Sequence, residues 1–327
     1  MSHRAFVTGG TGFVGANLVA RLTRDGWDVT ALHRATSALD VLERFPARLV
    51  CGDLIDHASL LTAIPQGVDV IFHVASDLNF QTEKNAAQTA TNVDGTRHLV
   101  DAAIARGASR FVYLSTLATY GVHDAIVTEA TRQTAANSSL NYARTKWQAE
   151  EVVRAAALRG LHTTILNPGG ILGPFDRSTW GLFFFLVRDG LIPYVPDVGI
   201  MTWSHVADVV AALIAAAHVG RSGENYILGG AEADLYTVLG LMAERLHVAF
   251  TTRRLPADLL RQYTDAQAAI AAHFDEPTVY TPEVMDVFAA SYRCDDTRAR
   301  EELACTSRPL EQMIADAHAW LVDEGLL

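Results

Sequence analysis

Lysine is nearly missing from this chain. Lys84 and Lys146 are the two lysines among 26 basic residues, and every other basic residue is an arginine. Arginine would serve as a surface charge or an ion-pair partner, so the retention of Lys146 calls for a chemical reason. A lysine ammonium is a compact charge with three rotatable donors, whereas a guanidinium is a rigid planar fork. Lys146 lies in LNYARTKWQAEE, residues 140–151, four residues after Tyr142.

Positive charge, cysteine and paired histidines are also scarce. The 26 basic residues face 37 acidic ones, a net charge of −11, which argues against a nucleic-acid surface because phosphate binding needs clustered Lys and Arg. Cys51, Cys294 and Cys305 form neither a disulfide framework nor a close pair typical of zinc sites, and they suit a reducing cytoplasm. The twelve histidines include no HxxxH or HxxH pair. We therefore predict no bound metal.

Long hydrophobic runs are absent too. The most apolar stretches, 181–187 and 209–217, are too short to span a bilayer. The chain enters RAFVTGG directly, without a charged and then apolar leader. The sequence predicts a cytoplasmic protein without a membrane partner. With 327 residues, half of them hydrophobic, it is long enough for one large domain with an appended lobe.

Short apolar runs alternate with longer helical segments through the first half of the chain. The runs are AFVT, DVTALH, RLVCG, DVIFHVAS, RFVYLST and HTTILNPGG. Hydrophobic residues on consecutive positions indicate strands covered on both faces, as in parallel sheets. We predict an α/β fold, a Rossmann-like doubly wound parallel sheet, with residues 1–170 as the dinucleotide-binding domain to which later elements return. Residues 171–327, with helices near 295–303 and 309–323, are predicted to form mainly a smaller α+β substrate lobe.

A glycine motif, TGGTGFVGANL at residues 8–18, follows the first predicted strand and opens a helix. Glycines let the backbone turn sharply against a pyrophosphate, which the helix N-terminus attracts. A nucleoside-triphosphate loop would end in Gly-Lys-Ser/Thr, where this chain has Ala16-Asn17. An ordinary tight turn is the alternative to a dinucleotide site. The predicted cofactor contacts here are Gly9, Thr11, Gly12, Phe13, Val14 and Gly15.

The end of the second predicted strand bears on the choice of dinucleotide. NAD sites place an acid there for the ribose 2′-hydroxyl, but this strand ends in ALHRATS. Arg34 could meet a 2′-phosphate, so NADP is the preferred cofactor and NAD the second choice. Arg34 as a solvated surface charge is the alternative. Asp53 could meet the adenine amino group or could instead cap a helix. Leu54, which follows it, is also a predicted cofactor contact.

Six motifs occur in one order along the chain: TGxxGxxG, FHVAS at 72–76, NVDGT at 92–96, YLSTLATYG at 113–121, YxxxK at 142–146 and NPGGILGP at 167–174. Together they resemble the extended short-chain dehydrogenase/reductases of the NAD-dependent epimerase/dehydratase superfamily. VTALHR and FHVAS are most similar to the dihydroflavonol-reductase-like branch, whose members reduce ketones or aldehydes with NADPH. The resemblance implies further cofactor contacts at Val74, Ala75, Ser76, Asn167, Pro168, Gly169 and Gly170.

Tyr142 and Lys146 are the predicted catalytic pair and also cofactor contacts, because positions i and i+4 share one helix face. A free tyrosine has a pKa near 10, and lowering it by about three units takes roughly 4 kcal/mol. We expect the Lys146 ammonium to contribute to that lowering. The resemblance implies that Thr116, with Ser115 as the alternative, bonds the substrate oxygen. It also implies that Asn92 completes the tetrad by holding a helix and a proton-feeding water chain.

Three functions remain open on the sequence. The first is an NADPH-dependent reductase of a ketone or aldehyde on a small apolar or aromatic substrate, with the proton from Tyr142. The second is a nucleotide-sugar epimerase or dehydratase with tightly bound NAD(P), and the third is a non-catalytic NADP-binding regulator. Asn167, where nucleotide-sugar enzymes often carry arginine, counts against the second. The expected partner is the carbonyl substrate, with a homodimer as one option. Four aromatic residues could line the substrate pocket or belong to the core: Phe80, Trp180, Phe184 and Phe185.

Overall fold

A computed structural model describes residues 2–273 and 282–327. The strands in these ranges are β1 Arg4–Thr8, β2 Asp28–His33, β3 Arg48–Cys51, β4 Val70–His73, β5 Arg110–Leu114, β6 His162–Pro168, β7 Gly170–Leu172, β8 Tyr194–Pro196, β9 Met201–His205, β10 Glu224–Leu228, β11 Ala231–Ala233 and β12 Arg253–Leu255. The helices are α1 Phe13–Arg24, α2 His57–Ala63, α3 Asn85–Thr89, α4 Gly95–Ala105, α5 Asn141–Leu158, α6 Trp180–Arg188, α7 Val206–Val219, α8 Leu235–Leu246, α9 Ala257–His273, α10 Pro282–Ala289, α11 Thr297–Leu303 and α12 Leu310–Asp323. A π-helical turn, Ala90–Asp94, joins α3 to α4.

Seven strands form the central sheet in the order β10-β6-β5-β4-β1-β2-β3. Every neighbouring pair in this sheet is parallel. The chain winds outward in one direction from β1 and in the other from β4, so a crevice opens between the carboxyl ends of these two strands. The predicted Rossmann-like doubly wound sheet is confirmed.

Alternate side chains of each central strand enter two different cores. In β1, Ala5 and Val7 pack with α1 and α7, whereas Phe6 packs on the opposite face with α2, α4 and α5. In β4, Phe72 joins the first core and Ile71 the second. Successive side chains of a strand point to opposite faces. Helices on both faces therefore account for the uninterrupted apolar runs.

The later part of the chain is divided between the central sheet and a lobe. Helix α7 packs on α1, and β10 pairs with β6, so residues 206–228 return to the first domain. The lobe contains a three-stranded sheet, β11-β9-β7, and the pair β12-β8. Its core surrounds Trp203, Phe184 and Met313. The helices predicted near 295–303 and 309–323 are α11 and α12. Helix α11 begins at Thr297 and not at 295, because the Asp295 carboxylate accepts from Thr297 N.

None of the described helices combines the length and the apolar character needed to cross a membrane.

Candidate active site

Lys146 lies at the carboxyl end of β5. Helix α5 carries it one turn after Tyr142, and its side chain is 1% exposed. The ammonium Nζ donates to Leu114 O at 2.7 Å and stands 4.2 Å above the centre of the Tyr113 ring. Burial lowers the pKa of Lys146 to about 7, and the charge of Glu150 opposes this effect. Near neutral pH this group can therefore hold or release a proton.

Tyr142 is half-buried beside two candidate substrate contacts. Its phenol hydrogen-bonds the Thr116 side chain, and the Phe80 ring meets its ring edge-on with centroids 6.1 Å apart. Burial raises the pKa of Tyr142 to about 12, although the Thr116 hydrogen bond lowers it. The expected lowering of this pKa by Lys146 is thus wrong for the protein alone, because desolvation outweighs every favourable contact. Tyr142 is a protonated acid at neutral pH.

The two hydroxyl groups after β5 have different partners. Ser115 Oγ donates to a buried carboxylate oxygen of Glu150. Thr116 faces Tyr142, and its Oγ1 accepts from Ala118 N where a short 3-10 turn begins. Sequence alone left both hydroxyls open because adjacent side chains diverge at a strand end. The structure places Thr116, and not Ser115, beside the candidate acid.

Asn92 lies in the π-helical turn, a feature often found at functional sites. Its Nδ2 donates to Asp77 O at 3.0 Å and to Thr145 Oγ1 at 3.1 Å, while its Oδ1 accepts from Asp77 N at 2.8 Å. Asn92 therefore ties the loop after β4 to α5 between Tyr142 and Lys146. This geometry suits the helix-holding part of its expected role, and the proton relay stays a prediction.

His73, at the end of β4, bridges two threonines beneath the site. Its Nδ1 lies 2.8 Å from Thr8 Oγ1 and its Nε2 lies 2.9 Å from Thr96 Oγ1. Burial, assisted by the Lys146 charge, lowers the pKa of His73 to about 3. A neutral His73 therefore holds β1, β4 and α4 together.

The glycine motif forms a tight cradle between β1 and α1. Gly9 has φ +75°, and a Cβ there would lie 2.6 Å from Ala75 N. A Cβ at Gly15 would lie 2.0 Å from Gly9 O, which already accepts from Gly12 N at 2.9 Å. Gly12 precedes α1 without a capping side chain, and no acid lies in the first turn. The first N–H groups of α1, from Phe13 to Gly15, are thus free to meet an anion.

The remaining predicted contacts on this side of the crevice follow β1 and β4. Thr11 is exposed at the tip of the cradle, and Phe13 and Val14 are partly buried in the first turn of α1. Val74, Ala75 and Ser76 continue from β4, where the Ala75 backbone packs against Gly9. The structure brings all of these residues to the crevice between β1 and β4.

Arg34, directly after β2, is exposed, and no hydrogen bond or ion pair of its guanidinium occurs within residues 2–273 and 282–327. Asp53 is not a helix cap, because its carboxylate accepts from Ile55 N while Asp56 caps α2. The side chain of Leu54 is 7% exposed and belongs to the core under α4. Of these three residues, Arg34 and Asp53 keep side chains available to a nucleotide.

Asn167 lies near the end of β6 with its side chain turned inward. Its side chain is fully buried, and Nδ2 donates to Thr116 O at 3.0 Å and to Glu150 Oε1 at 2.6 Å. The alternation of β6 turns this amide under the loop of Thr116. The Asn167 side chain therefore supports that loop, and a contact of Asn167 with the cofactor stays a prediction.

Gly169 and Gly170, which follow Pro168, are required by packing against β9. A Cβ at Gly169 would lie 2.2 Å from Thr202 O, and one at Gly170 would lie 2.7 Å from the Trp203 ring. Packing against β9 is enough to explain why both positions are glycine, without a bound ligand. A role of the Pro168–Gly170 backbone toward a nicotinamide stays a prediction.

Sequence reasoning missed Glu150. It follows Lys146 by four residues, as Lys146 follows Tyr142, and it is fully buried. The spacing YxxxKxxxE was the available signal, because it places a third polar residue on the helix face of Tyr142 and Lys146. Within the described residues, no group of three or more His, Cys, Asp or Glu side chains is arranged to hold a metal.

The four aromatic candidates divide between core and surface. Phe184 is fully buried in the lobe core, and Phe185 packs against that core. Trp180 contacts the Trp203 ring at 4.6 Å between centroids. Phe80, 44% exposed next to Tyr142, is the candidate best placed to meet a substrate.

Comparison with known proteins places the chain in a family. Residues 5–229 match the model of the NAD dependent epimerase/dehydratase family. The chain belongs to this family. A putative dihydroflavonol 4-reductase from Synechocystis sp. is 30% identical over 99% of this chain and 96% of its own length. Sterol demethylase protein B from Methylococcus capsulatus is 28% identical over 98% and 99%, respectively. The crystal structure of gox2253 superposes with a TM-score of 0.86 at 29% identity, covering all of both chains.

Membership of the epimerase/dehydratase family confirms the resemblance seen in the sequence and implies a nicotinamide dinucleotide, NAD(P), as cofactor. The cradle fits such a group, because Gly9 and Gly15 leave no room for a side chain and α1 presents unpaired N–H groups. Lys146 and Tyr142 lie at the carboxyl end of the same sheet. The family comprises oxidoreductases, epimerases and dehydratases, and the shared fold alone does not select among them.

Proposed function

We propose that this protein is an NADPH-dependent reductase of a ketone or aldehyde on a largely apolar or aromatic substrate. The observation that carries the proposal is the grouping of Thr116, protonated Tyr142 and buried Lys146 beside an exposed Phe80. Those groups can hold a carbonyl oxygen and protonate it, and an apolar ring borders them.

The chemistry divides between cofactor and protein. When bound, NADPH supplies the hydride. Thr116 and Tyr142 bind the carbonyl oxygen, and Tyr142 donates the proton as negative charge develops there. The pKa of about 12 keeps the Tyr142 proton in place at neutral pH, as an acid requires. Lys146, with a pKa of about 7, can return a proton toward the phenolate.

Arg34 supports the preference for NADPH. It is an exposed cation at the end of β2, where a carboxylate would repel a 2′-phosphate. We expect NADPH to bind about tenfold more tightly than NADH, or about 1.4 kcal/mol. Arg34→Ala should remove the difference and leave NADH affinity nearly unchanged. Arg48→Ala, an exposed arginine at the opposite end of β3, is the matched control; equal loss for both cofactors in Arg34→Ala would make Arg34 structural.

Exposed apolar side chains support an apolar substrate. Leu78 and Phe80 follow β4, and Val122 and Ile126 follow β5, with exposures of 42%, 44%, 58% and 53%. Both segments leave the sheet at its carboxyl edge, where ligands of such folds bind. The names of the two relatives refer to a dihydroflavonol and to a sterol.

The lobe arginines count against a nucleotide sugar, whose diphosphate needs free cations. Arg177 pairs with Asp40 and Glu324, and Arg188 pairs with Asp189. Arg254 pairs with Asp234, and Arg221, in the part of the chain that returns to the first domain, pairs with Glu302. Arg245 and Arg253 have no ion pair among the described residues. A diphosphate at any of the four paired arginines would therefore have to displace a carboxylate.

The proposal is tested by incubating the protein with NADPH and a panel of aliphatic and aromatic aldehydes and ketones. Loss of NADPH absorbance is expected with apolar members of the panel and should disappear in Tyr142→Phe. Uridine and thymidine diphosphate sugars should give no thermal stabilisation. Stabilisation by several degrees, with retained NAD and no net oxidation, would instead support an epimerase or dehydratase.

A further inference from the structure

Glu150 is a second buried charged residue on the helix of the active site. Tyr142, Lys146 and Glu150 follow one another at four-residue spacing and share one face of α5. The side chain of Glu150 has 0% exposure. Burying a carboxylate is costly unless it is paired and hydrogen-bonded. The reaction steps given above make no use of this residue.

Hydrogen-bond donors from several elements converge on the Glu150 carboxylate. Oε1 accepts from two side chains, Ser115 Oγ at 2.5 Å and Asn167 Nδ2 at 2.6 Å. Oε2 accepts from three, Gln133 Nε2 at 2.6 Å, Arg154 NH2 at 2.6 Å and Asn225 Nδ2 at 3.0 Å. Four of these groups can only donate, and the Ser115 hydroxyl can orient to donate. Such a set suits the ionised carboxylate, which accepts on both oxygens.

This cluster also supports the loop that carries the substrate-binding hydroxyl. Asn167 reaches from Glu150 to Thr116 O, and Ser115 is the residue before Thr116. Its members come from β6, β10, α5 and two loops, so the carboxylate has a fixed position. A charge fixed in this way acts on Lys146 with a constant geometry.

The charge of Lys146 depends on the groups that face it. From β4 it meets His73, whose pKa of about 3 leaves it neutral, and from β5 it meets Tyr113, whose pKa is raised well above 10. From α5 the charge of Glu150 acts on it, and Tyr142, one turn earlier on the same helix, is protonated. Among these groups Glu150 is the negative charge. It works against burial, which favours the neutral amine.

One cation, Arg154, and two phenols, Tyr113 and Tyr120, also interact with the Glu150 charge. Arg154 is its cationic partner and also pairs with the exposed Glu151. Tyr113 and Tyr120 lie close enough for the Glu150 charge to raise the pKa of both phenols. Both stay neutral, so the negative charge that acts on Lys146 is that of Glu150, whose own ion-pair partner is Arg154.

We propose that Glu150 is a positioning residue of this site, whose buried carboxylate keeps Lys146 in the ammonium form around neutral pH. Without this charge, Lys146 loses its proton at a lower pH and no longer acts as a cation beside Tyr142. The catalytic consequence rests on the proposed function, in which Lys146 acts as an ammonium. The charge relation between the two side chains holds whatever the substrate.

The scarcity of lysine makes a direct test possible. Labelling with ¹³Cε-lysine gives two resonances, from Lys146 and from the exposed Lys84, which serves as the internal reference. In the wild-type protein Lys146 should titrate near pH 7. In Glu150→Gln, which keeps the shape and removes the charge, its midpoint should fall by about one pH unit. In Glu150→Asp, which keeps the charge, the midpoint should stay close to the wild-type value.

A purely structural Glu150 would not separate the two variants by charge. Gln turns an amide nitrogen that can only donate toward other donors, and Asp draws its carboxylate back from them, so both would disturb Lys146. Arg154→Met supplies an independent arm, because removing this cation should raise the Lys146 midpoint. If Glu150→Gln does not fold, the Lys146 midpoint in Arg154→Met tests the proposal instead. An unchanged midpoint in folded Glu150→Gln, or in Arg154→Met, would overturn the proposal, even if carbonyl reduction itself were established.

Discussion

Gly15→Ala would place a methyl group inside the turn between β1 and α1. The new Cβ would lie 2.0 Å from Gly9 O and 2.5 Å from Gly9 C, whereas real Cβ atoms essentially never approach closer than 3.0 Å. The difference between 2.0 and 3.0 Å means that backbone must move by about 1 Å, since dense interiors absorb little strain. No flexible side chain is available to give way.

The shift falls on the hydrogen bond from Gly12 N to Gly9 O, which is 2.9 Å long. Overpacking of this kind costs about 1–3 kcal/mol of folding stability. The first N–H groups of α1 would also no longer point at the pyrophosphate of the cofactor. If about 2.7 kcal/mol of binding free energy is lost, cofactor affinity falls about 100-fold.

Gly10→Ala is the matched control in the same loop. A Cβ at Gly10 would meet the side chains of Ala31 and Leu42 at 3.4 Å, an ordinary contact. Fluorescence titration with NADPH should therefore show nearly unchanged affinity for Gly10→Ala and a large loss for Gly15→Ala. Wild-type affinity in folded Gly15→Ala, or equal losses in both variants, would refute the assignment of the cradle.

Other predictions concern residues beneath and beside the site. Tyr142→Phe should bind NADPH almost as wild type and lose about 10²–10⁴ in turnover, as expected for a lost general acid; retained turnover would assign the acid elsewhere. Lys146→Ala should lose both affinity and turnover, and unchanged affinity would remove Lys146 from the cofactor site. His73 has a pKa of about 3 when folded and 6.5 when unfolded, so stability falls as acid protonates the unfolded chain. Urea unfolding should show His73 contributing about 3 kcal/mol of loss between pH 7 and pH 4, absent in His73→Gln; equal pH slopes would contradict this.

The parallel sheet was predictable because its signal is physical and local. Consecutive apolar residues in DVTALH and RFVYLST require cover on both faces, and β2 spans Asp28–His33 as predicted. The glycines at 9 and 15 were equally legible, because a crowded turn tolerates no other residue. Family motifs then located Tyr142 and Lys146 on one helix face.

Side-chain direction at strand ends was not predictable. Ser115 and Thr116 are adjacent hydroxyls, and only the course of the backbone after β5 decides which meets Tyr142. Asn167 turned under the sheet edge for the same reason. The extent of burial was not predictable either. Burial raises the pKa of Tyr142, whereas the sequence led us to expect that an adjacent ammonium would lower it. Glu150 was visible as a spacing, but four of its five partners, all except Arg154 on the same helix, are brought to it only by the fold.

The central claim, net carbonyl reduction, is tested most directly by following the hydride itself. The protein should be incubated with NADPH carrying deuterium at the transferred position and an apolar ketone or aldehyde that supports NADPH loss. We predict one deuterium in the product alcohol for each NADPH oxidised. Unoxidised cofactor that keeps its label, together with isomerisation or dehydration of a nucleoside diphosphate sugar, would contradict the account.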